Sequence, residues 1–181
     1  MDAITMIKER RSVRKYKDEK VDRETMREIV DIARWAPSWV NYQIARYTLV
    51  DDEEIIKEIA EHGVNGFVYN IDTLRTAKGV AVLSFVKGKS GTYDKEYITS
   101  KGNSWEVFDA GIACQTFCLA AHAKGIGTCI MGVIDEKSIS KIINLPQEET
   151  VAALIVYGYE DGHPSPTPRK DIDEIMRFVD R

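Results

Sequence analysis

Apolar side chains recur every three or four residues in several stretches of the chain, which is the periodicity of an amphipathic helix. The first clear case runs from Asp22 to Trp35, where Asp22 suits the N-cap and Pro37 follows as a stop signal. Similar patterns predict four more helices. They are expected at Asp51–Glu61, Ser104–Lys124, Asp135–Ile143 and Ile172–Val179.

Runs of β-branched and other apolar residues predict strands between these helices. The predicted strands are Arg46–Val50, Gly79–Val86, Gly127–Met131 and Val151–Tyr157. Because helices and strands are interspersed, we expect an α+β fold, a single domain over residues 1–181 in which helices pack on a central sheet. Residues 87–104 are polar and lack a period, so we expect a long loop or lid there.

The predicted helix Ser104–Lys124 differs from the others because apolar residues lie around most of its circumference. Such a helix has to be buried on nearly all sides. In a chain of 181 residues, a second copy of the protein can cover one of its faces. We therefore expect an obligate homodimer.

The composition narrows the class of protein. Hydrophobic residues make up 44% of the chain and charged residues 30%, which excludes a disordered or low-complexity protein. The net charge of −4 provides no general positive field, so nucleic acid is not expected as a partner. Three cysteines, an odd number, favour packed thiols in the cytoplasm over disulfides. No apolar run is long enough for a signal peptide or a membrane span.

Two local clusters could carry chemistry. Arg10, Arg11, Ser12 and Arg14 bring three guanidinium groups and a hydroxyl together within five residues, a set that can hold a phosphate group. The alternative is a solvated basic face. The segment Ala36–Gln43 contains two amides, an indole and a phenol, which could bind and stack on a planar heterocycle. Its alternative is a turn that caps its own backbone.

Other chemistries find little support. Gly125 and Gly127 resemble part of a phosphate loop, but the GxGxxG spacing fails because residue 130 is Ile. We expect Gly125 to end a helix and Gly127 to allow a close backbone approach. The three histidines lack a metal-binding spacing, and we expect them to be exposed or satisfied by hydrogen bonds. With no nucleophile motif either, neither a metal site nor covalent catalysis is expected.

Five groups of residues occur in the order in which the nitroreductase family of FMN-dependent oxidoreductases has them, and the resemblance covers nearly the whole chain. The segments that carry it are Arg10–Tyr16, Ala36–Gln43, Asp109–Gly111 with Gln115 and Leu119–Ala121, Gly125–Cys129 with Gly132, and Tyr157–Tyr159 with Arg169 and Lys170. One departure is Ile44, which follows Gln43 where family members commonly have Pro.

The resemblance implies an intertwined homodimer of α+β protomers, each with a central, mixed but mainly antiparallel sheet, and with FMN at the interface. It implies a set of residues around the flavin phosphate: Arg10, Arg11, Ser12, Arg169 and Lys170. It places Arg14 at the N1/O2 edge of the ring and the backbone of Met131 and Gly132 near N5 and O4. The partner chain would contribute Pro37, Ser38, Trp39 and Asn41, and Asn70 is a further candidate.

The function implied is an FMN-dependent enzyme that passes electrons from NADH or NADPH to nitroaromatic, quinone or flavin-like acceptors by a ping-pong mechanism. Arg14 would stabilise negative charge on the flavin. One alternative is a flavin-binding sensor or storage protein without fast turnover. Another is a colourless module that binds nucleotides or acidic partners through residues 10–15.

Overall fold

The computed structural model describes residues 2–180. The helices are α1 (Ala3–Glu9), α2 (Arg23–Ala33), α3 (Glu53–His62), α4 (Val68–Thr76), α5 (Ser104–Ala123), α6 (Glu136–Ile142) and α7 (Ile172–Ile175). The strands are β1 (Ala45–Val50), β2 (Gly79–Val86), β3 (Thr92–Tyr93), β4 (Glu96–Tyr97), β5 (Gly127–Met131) and β6 (Glu149–Gly158). A short 3₁₀ turn, Trp39–Asn41, lies between α2 and β1.

Most of the predicted elements are confirmed, with ends that agree to within about two residues. The predicted terminal helix Ile172–Val179 is wrong in length, because α7 ends at Ile175. A capping box at Asp171 starts this helix, but its apolar side chains remain exposed among residues 2–180, so no packing extends it. Helix α4 was not predicted, since only Thr73 and Leu74 in it are buried and no apolar stripe marks it.

Four strands form one sheet in the order β1-β2-β6-β5, and each neighbouring pair is antiparallel. An isolated parallel bridge joins Ser12 to Thr128 beside β5. The expectation of a mainly antiparallel mixed sheet is therefore confirmed. Between β2 and β6 the register shifts after Leu83, where Ala153 is paired with Leu83 and Val151 with Ser84.

Strand β2 is apolar at every position except Ser84, because both faces of the sheet are covered. Ala81, Leu83 and Phe85 point to one face, where they share a core cluster with α2 and α5. Val80 and Val82 point to the other face and share a second cluster with α3, α4 and α6. The sheet is thus the middle layer between two layers of helices.

Helix α5 lies on the first face but is not buried on all sides within one protomer. Its inner side carries Phe117, whose ring stacks on that of Tyr47 at a centroid distance of 5.3 Å. On its outer side Val107 is 59% exposed and Phe108 57% exposed. Within one protomer this side is uncovered, as the prediction that a second copy covers one face of the helix requires, and the dimer itself stays a prediction.

Residues 87–103, between β2 and α5, form what we call the lid segment. The predicted loop contains a two-stranded hairpin, in which Thr92 pairs with Tyr97 and Tyr93 with Glu96. Ser90 and Thr92 are buried although they are polar. The lid segment is therefore anchored to the body of the protein, and the anchoring groups lie near the candidate site described next.

Candidate functional site

Residues 10–16 run beside strand β5. Helix α1 ends at Arg10, and the backbone N–H of Val13 donates to the carbonyl of Thr128 at 2.8 Å. The approach is close enough that a Cβ on Gly127 would lie 2.7 Å from the Val13 side chain, which confirms the role predicted for this glycine. The buried Tyr16 hydroxyl donates to the Val13 carbonyl at 2.6 Å and closes the segment. The arginines are thus carried on a backbone that two sets of hydrogen bonds hold in place.

The arginine side chains are poorly neutralised by the protein itself. The Nε atoms of Arg10 and Arg11 are buried and have no hydrogen-bond partner among the described residues. Within residues 2–180, none of the Arg10, Arg11 and Arg14 guanidinium groups forms an ion pair with a carboxylate. A buried N–H without an acceptor costs roughly 1–3 kcal/mol. The segment therefore fits an anionic ligand that supplies several acceptor oxygens, such as a phosphate group.

His122, near the end of α5, belongs to the same electrostatic neighbourhood. Its Nε2 atom is buried without a hydrogen-bond partner in the part of the chain that the structure describes. Burial lowers the pKa of His122, and Arg10 and Arg11 lower it further, while Glu160 and Glu9 raise it. The prediction that all histidines are exposed or satisfied is therefore wrong for His122, although it holds for the exposed His62 and His163.

Residues 36–43, which we call the corner, have a strained backbone. Val40, Asn41 and Gln43 have φ angles of 46°, 56° and 50°, the left-handed region that favours glycine. A β-branched residue such as Val40 is the least suited to this region and costs about 1–2 kcal/mol there, whereas Asn41 adopts it more readily. The Gln43 N–H donates to the Ser38 hydroxyl oxygen at 2.8 Å, so the turn does cap its own backbone.

The corner presents its predicted site residues in different ways. Pro37 and Asn41 are exposed in the protomer, and Ser38 and Trp39 are half-buried. The indole Nε1 of Trp39 donates to the Thr92 carbonyl at 3.1 Å, so this side chain is engaged with the lid segment of its own chain. Helix α2 ends at Ala33, before Pro37.

The end of β5 provides an accessible stretch of backbone. The Met131 side chain is buried, whereas Gly132 is exposed and has no heavy atom within 4 Å of the position that a Cβ would occupy. The side-chain amide of Asn70, on α4, donates to the Val133 carbonyl at 3.0 Å. A flat ligand could therefore approach the backbone at residues 131–132 without meeting a side chain there.

Arg169 and Lys170 lie on the exposed stretch that follows β6. The Arg169 guanidinium donates to the Thr167 hydroxyl at 2.6 Å and to the carbonyls of Thr167 and Pro168. The structure thus gives Arg169 hydrogen bonds within its own stretch, and its convergence with Arg10 on one anion stays a prediction.

Sequence reasoning gave no role to two residues next to the site, Glu106 and Asp109, although Asp109 stands in one of the segments that carry the resemblance. Both lie in the first turns of α5 and are buried, being 4% and 3% exposed. The available signal was a pair of carboxylates three residues apart in an otherwise apolar helix, where an unpaired charge would be unfavourable. Hydrogen bonds from the lid segment reach both side chains, and Asp109 also accepts one from the corner.

Three further observations bear on the chemistry. In residues 2–180 no group of three or more His, Cys, Asp or Glu side chains is arranged to hold a metal ion. Nor does any helix there have the length and apolar character needed to cross a membrane. All three cysteines are free and buried, and burial raises the pKa of the Cys129 thiol, which disfavours a reactive thiolate at that position.

Comparison with known proteins gives consistent results. Residues 7–159 match the family model described as "Nitroreductase family". The FMN reductase (NAD(P)H) of Bacillus subtilis is 28% identical over 176 residues, which cover 93% of this chain and 70% of that protein. The iodotyrosine deiodinase of Thermotoga neapolitana is 25% identical over 180 residues, covering 96% and 95%. A nitroreductase solved in complex with FMN, from Exiguobacterium sibiricum, superposes with a TM-score of 0.85 at 22% identity, covering 99% and 98%, which shows a common fold.

Proposed function

This chain belongs to the nitroreductase family, and from that premise we propose that it passes electrons from NADH or NADPH to nitroaromatic, quinone or flavin-like acceptors. The family and the FMN reductase relative support an FMN-dependent oxidoreductase. The observation in the structure that carries the proposal is the pair of buried Nε atoms of Arg10 and Arg11, which have no hydrogen-bond partner within residues 2–180. They are suited to a buried anion of the kind that FMN carries at one end.

The residues present fit FMN at its phosphate end. Arg10, Arg11 and Ser12 would hold the phosphate, and the exposed Arg169 and Lys170 would close on it from the tail of the chain. Arginine suits this role because its planar fork of donors stays charged at any physiological pH. Ser12 lies on backbone that is bridged to Thr128, so its hydroxyl is presented from a fixed position.

The ring end would lie against exposed backbone and a permanent cation. When bound, FMN supplies the ability to take up two electrons from a nicotinamide and release them to an acceptor. Arg14 is exposed and free of carboxylate partners within residues 2–180, so it can stabilise negative charge at the N1/O2 edge. The backbone at Met131 and Gly132 would face the N5/O4 edge.

The dimer is part of the proposal because the corner residues would act on the partner's flavin. Those residues are Pro37, Ser38, Trp39 and Asn41. The exposed apolar face of α5 supports a dimer, as do the exposed apolar side chains after Asp171. Val107→Glu would place a charge on this face, and we expect it to sediment as a monomer, whereas Val107→Ala remains a dimer. A dimeric Val107→Glu protein would remove this face from the interface.

The central experiment is a visible spectrum of the purified protein, followed by anaerobic reduction with NADH or NADPH and reoxidation with a nitroaromatic or a quinone. An oxidoreductase of the proposed kind is yellow, is bleached by the reductant and regains its colour quickly with the acceptor. A flavin sensor or store would be yellow but slow to reoxidise, and a nucleotide-binding module would be colourless. The free, buried thiols support the cytoplasm as the compartment to examine.

A further inference from the structure

Two buried carboxylates lie one helical turn apart near the start of α5. Glu106 and Asp109 are almost fully removed from solvent, and neither forms an ion pair with a Lys, Arg or His within residues 2–180. Burial of a carboxylate is strongly unfavourable unless hydrogen bonds replace the lost water. The donors that reach these two side chains therefore identify the contacts that the fold maintains here.

Glu106 binds the lid segment alone. Its Oε1 accepts hydrogen bonds from the backbone N–H of Gly88 at 2.5 Å and of Lys89 at 3.3 Å. The Tyr97 hydroxyl donates to the same oxygen at 3.1 Å. Glu106 thus fixes both the start of the lid segment and its second strand.

Asp109 binds two segments that are far apart in sequence. Its Oδ2 accepts a hydrogen bond from the Ser90 hydroxyl, in the lid segment, at 2.5 Å. The same oxygen accepts the backbone N–H of Trp39, in the corner, at 2.9 Å. A single atom is therefore the acceptor for both, and the two segments meet at it.

The corner and the lid segment also touch each other directly. The indole of Trp39 donates to the Thr92 carbonyl, and its ring lies 5.0 Å from the ring of Trp105 on α5. The Trp105 indole in turn donates to the Thr99 hydroxyl at 3.0 Å, at the other end of the lid segment. Displacing the lid segment would therefore disturb the surroundings of Trp39.

The backbone of the corner gives this contact its importance. Three of its residues have left-handed φ angles without being glycine, so the conformation needs restraint from outside the segment. The hydrogen bond from the Trp39 N–H to Asp109 comes from a different element, at the first residue of the 3₁₀ turn. Without it, the strained turn would relax and the exposed Asn41 side chain would change position.

We propose that Asp109 is a positioning residue, which holds the corner in its strained conformation and couples that conformation to the position of the lid segment. By the closed position we mean the one in the structure, in which Ser90 and Trp39 share the Oδ2 atom of Asp109. Glu106 anchors the lid segment but has no bond to the corner. The consequence for cofactor binding rests on the proposed function, since the corner is proposed to act on FMN. By thermodynamic reciprocity, a flavin that favours the corner conformation must also favour the closed lid segment.

The test compares Asp109→Ala with Glu106→Gln as the matched control. The first readout uses the protein without flavin and records the near-UV circular dichroism of the Trp39–Trp105 pair, together with the rate of tryptic cleavage after Lys95 and Lys101. We expect Asp109→Ala to change the dichroism of the pair and to speed cleavage about tenfold, the effect of losing a hydrogen bond to a charged group. Glu106→Gln is expected to speed cleavage with a smaller change in dichroism than Asp109→Ala, because the bonds from Ser90 and Trp39 to Asp109 remain.

The second readout is the coupling itself. Saturating FMN should slow cleavage of the lid segment in the wild-type protein and in Glu106→Gln, and should fail to slow it in Asp109→Ala. Equal protection in Asp109→Ala, or wild-type dichroism and cleavage in that variant, would overturn the proposal. If Asp109→Ala does not fold, Asp109→Asn replaces it, since Asn keeps the shape of the side chain and one acceptor oxygen. The proposal then requires the same changes in dichroism, cleavage rate and protection by FMN, each smaller than for Asp109→Ala.

Failure of the proposed function can be told apart from failure of this inference. A wild-type protein that does not bind FMN contradicts the proposed function and leaves the first readout to decide on Asp109. A wild-type protein that binds FMN, combined with an Asp109→Ala variant that behaves like it in both readouts, contradicts only the role of Asp109.

Discussion

Replacing Arg10 by Met is expected to separate cofactor binding from protein stability. Arg10 carries a buried Nε with no hydrogen-bond partner in the described residues, on a segment that we propose binds the FMN phosphate. Met keeps an unbranched, flexible side chain that can fill the same space. The substitution therefore removes the charge and the donors while it changes the packing little.

The expected loss of FMN affinity follows from the buried contact. Removing one partner of a buried, hydrogen-bonded charge pair costs about 2–5 kcal/mol. At about 1.4 kcal/mol for each factor of ten, this corresponds to a dissociation constant roughly 30-fold to 4,000-fold higher. The free energy of unfolding of the flavin-free protein should increase, because the substitution removes an unsatisfied buried N–H, which costs roughly 1–3 kcal/mol.

Two measurements check this expectation. The quenching of FMN fluorescence on titration with flavin-free protein measures the affinity, and urea unfolding of that protein measures its free energy of unfolding. Lys15→Met is the control, since Lys15 is exposed on the same segment and both quantities should stay near wild type. An Arg10→Met protein with wild-type FMN affinity, or one that is destabilised by more than about 1 kcal/mol without flavin, would refute the assignment of Arg10.

Three further predictions concern single residues. Arg14→Ala should make the midpoint potential of bound FMN more negative by about 20–40 mV. This range corresponds, for two electrons, to a loss of roughly 1–2 kcal/mol in the stabilisation of reduced FMN. An unchanged potential with intact binding would remove Arg14 from the mechanism. Because the pKa of His122 is lowered in the folded protein, the stability it contributes is present above pH 6.5 and is lost as the pH falls through its folded pKa. Urea unfolding at a series of pH values measures this decline in the free energy of unfolding, which should be absent in His122→Asn. Val40→Gly should raise the free energy of unfolding by up to about 1 kcal/mol because it relieves the strain of a φ of 46°. Val40→Ala keeps that strain and should not raise it. Equal urea-unfolding midpoints for the two variants would contradict the strain argument.

The hydrophobic pattern alone was sufficient to predict most of the secondary structure. Strands β2 and β5 begin and end at the predicted residues, because Lys78 and Lys87 flank the first apolar run and Gly132 follows the second. Helix α5 was predicted almost to its last residue, and Gly125 ends it with a φ of 76° as expected. Helix α4 escaped prediction because its residues lack a stripe, and α7 is shorter than predicted because nothing packs on it.

Local sequence also identified the side chains of the candidate site, since the arginines at 10, 11 and 14 and the polar corner are contiguous segments. It did not identify what surrounds them. His122 shares the neighbourhood of Arg10 although more than a hundred residues separate them, and Arg169 makes only local hydrogen bonds within residues 167–169 in the described chain.

The order of apolar and polar residues indicates where the chain forms helices and strands. It also shows which short segments carry cations and amides. Both properties depend on neighbours in sequence, so they can be predicted without the fold. Packing of the folded chain brings Ser90 and Trp39 to one oxygen of Asp109, and it buries the Nε atoms of Arg10 and Arg11 where residues 2–180 offer no acceptor. These contacts depend on how helices pack on the sheet and on the left-handed turn at Val40. No local periodicity encodes the distance between groups that packing alone brings together.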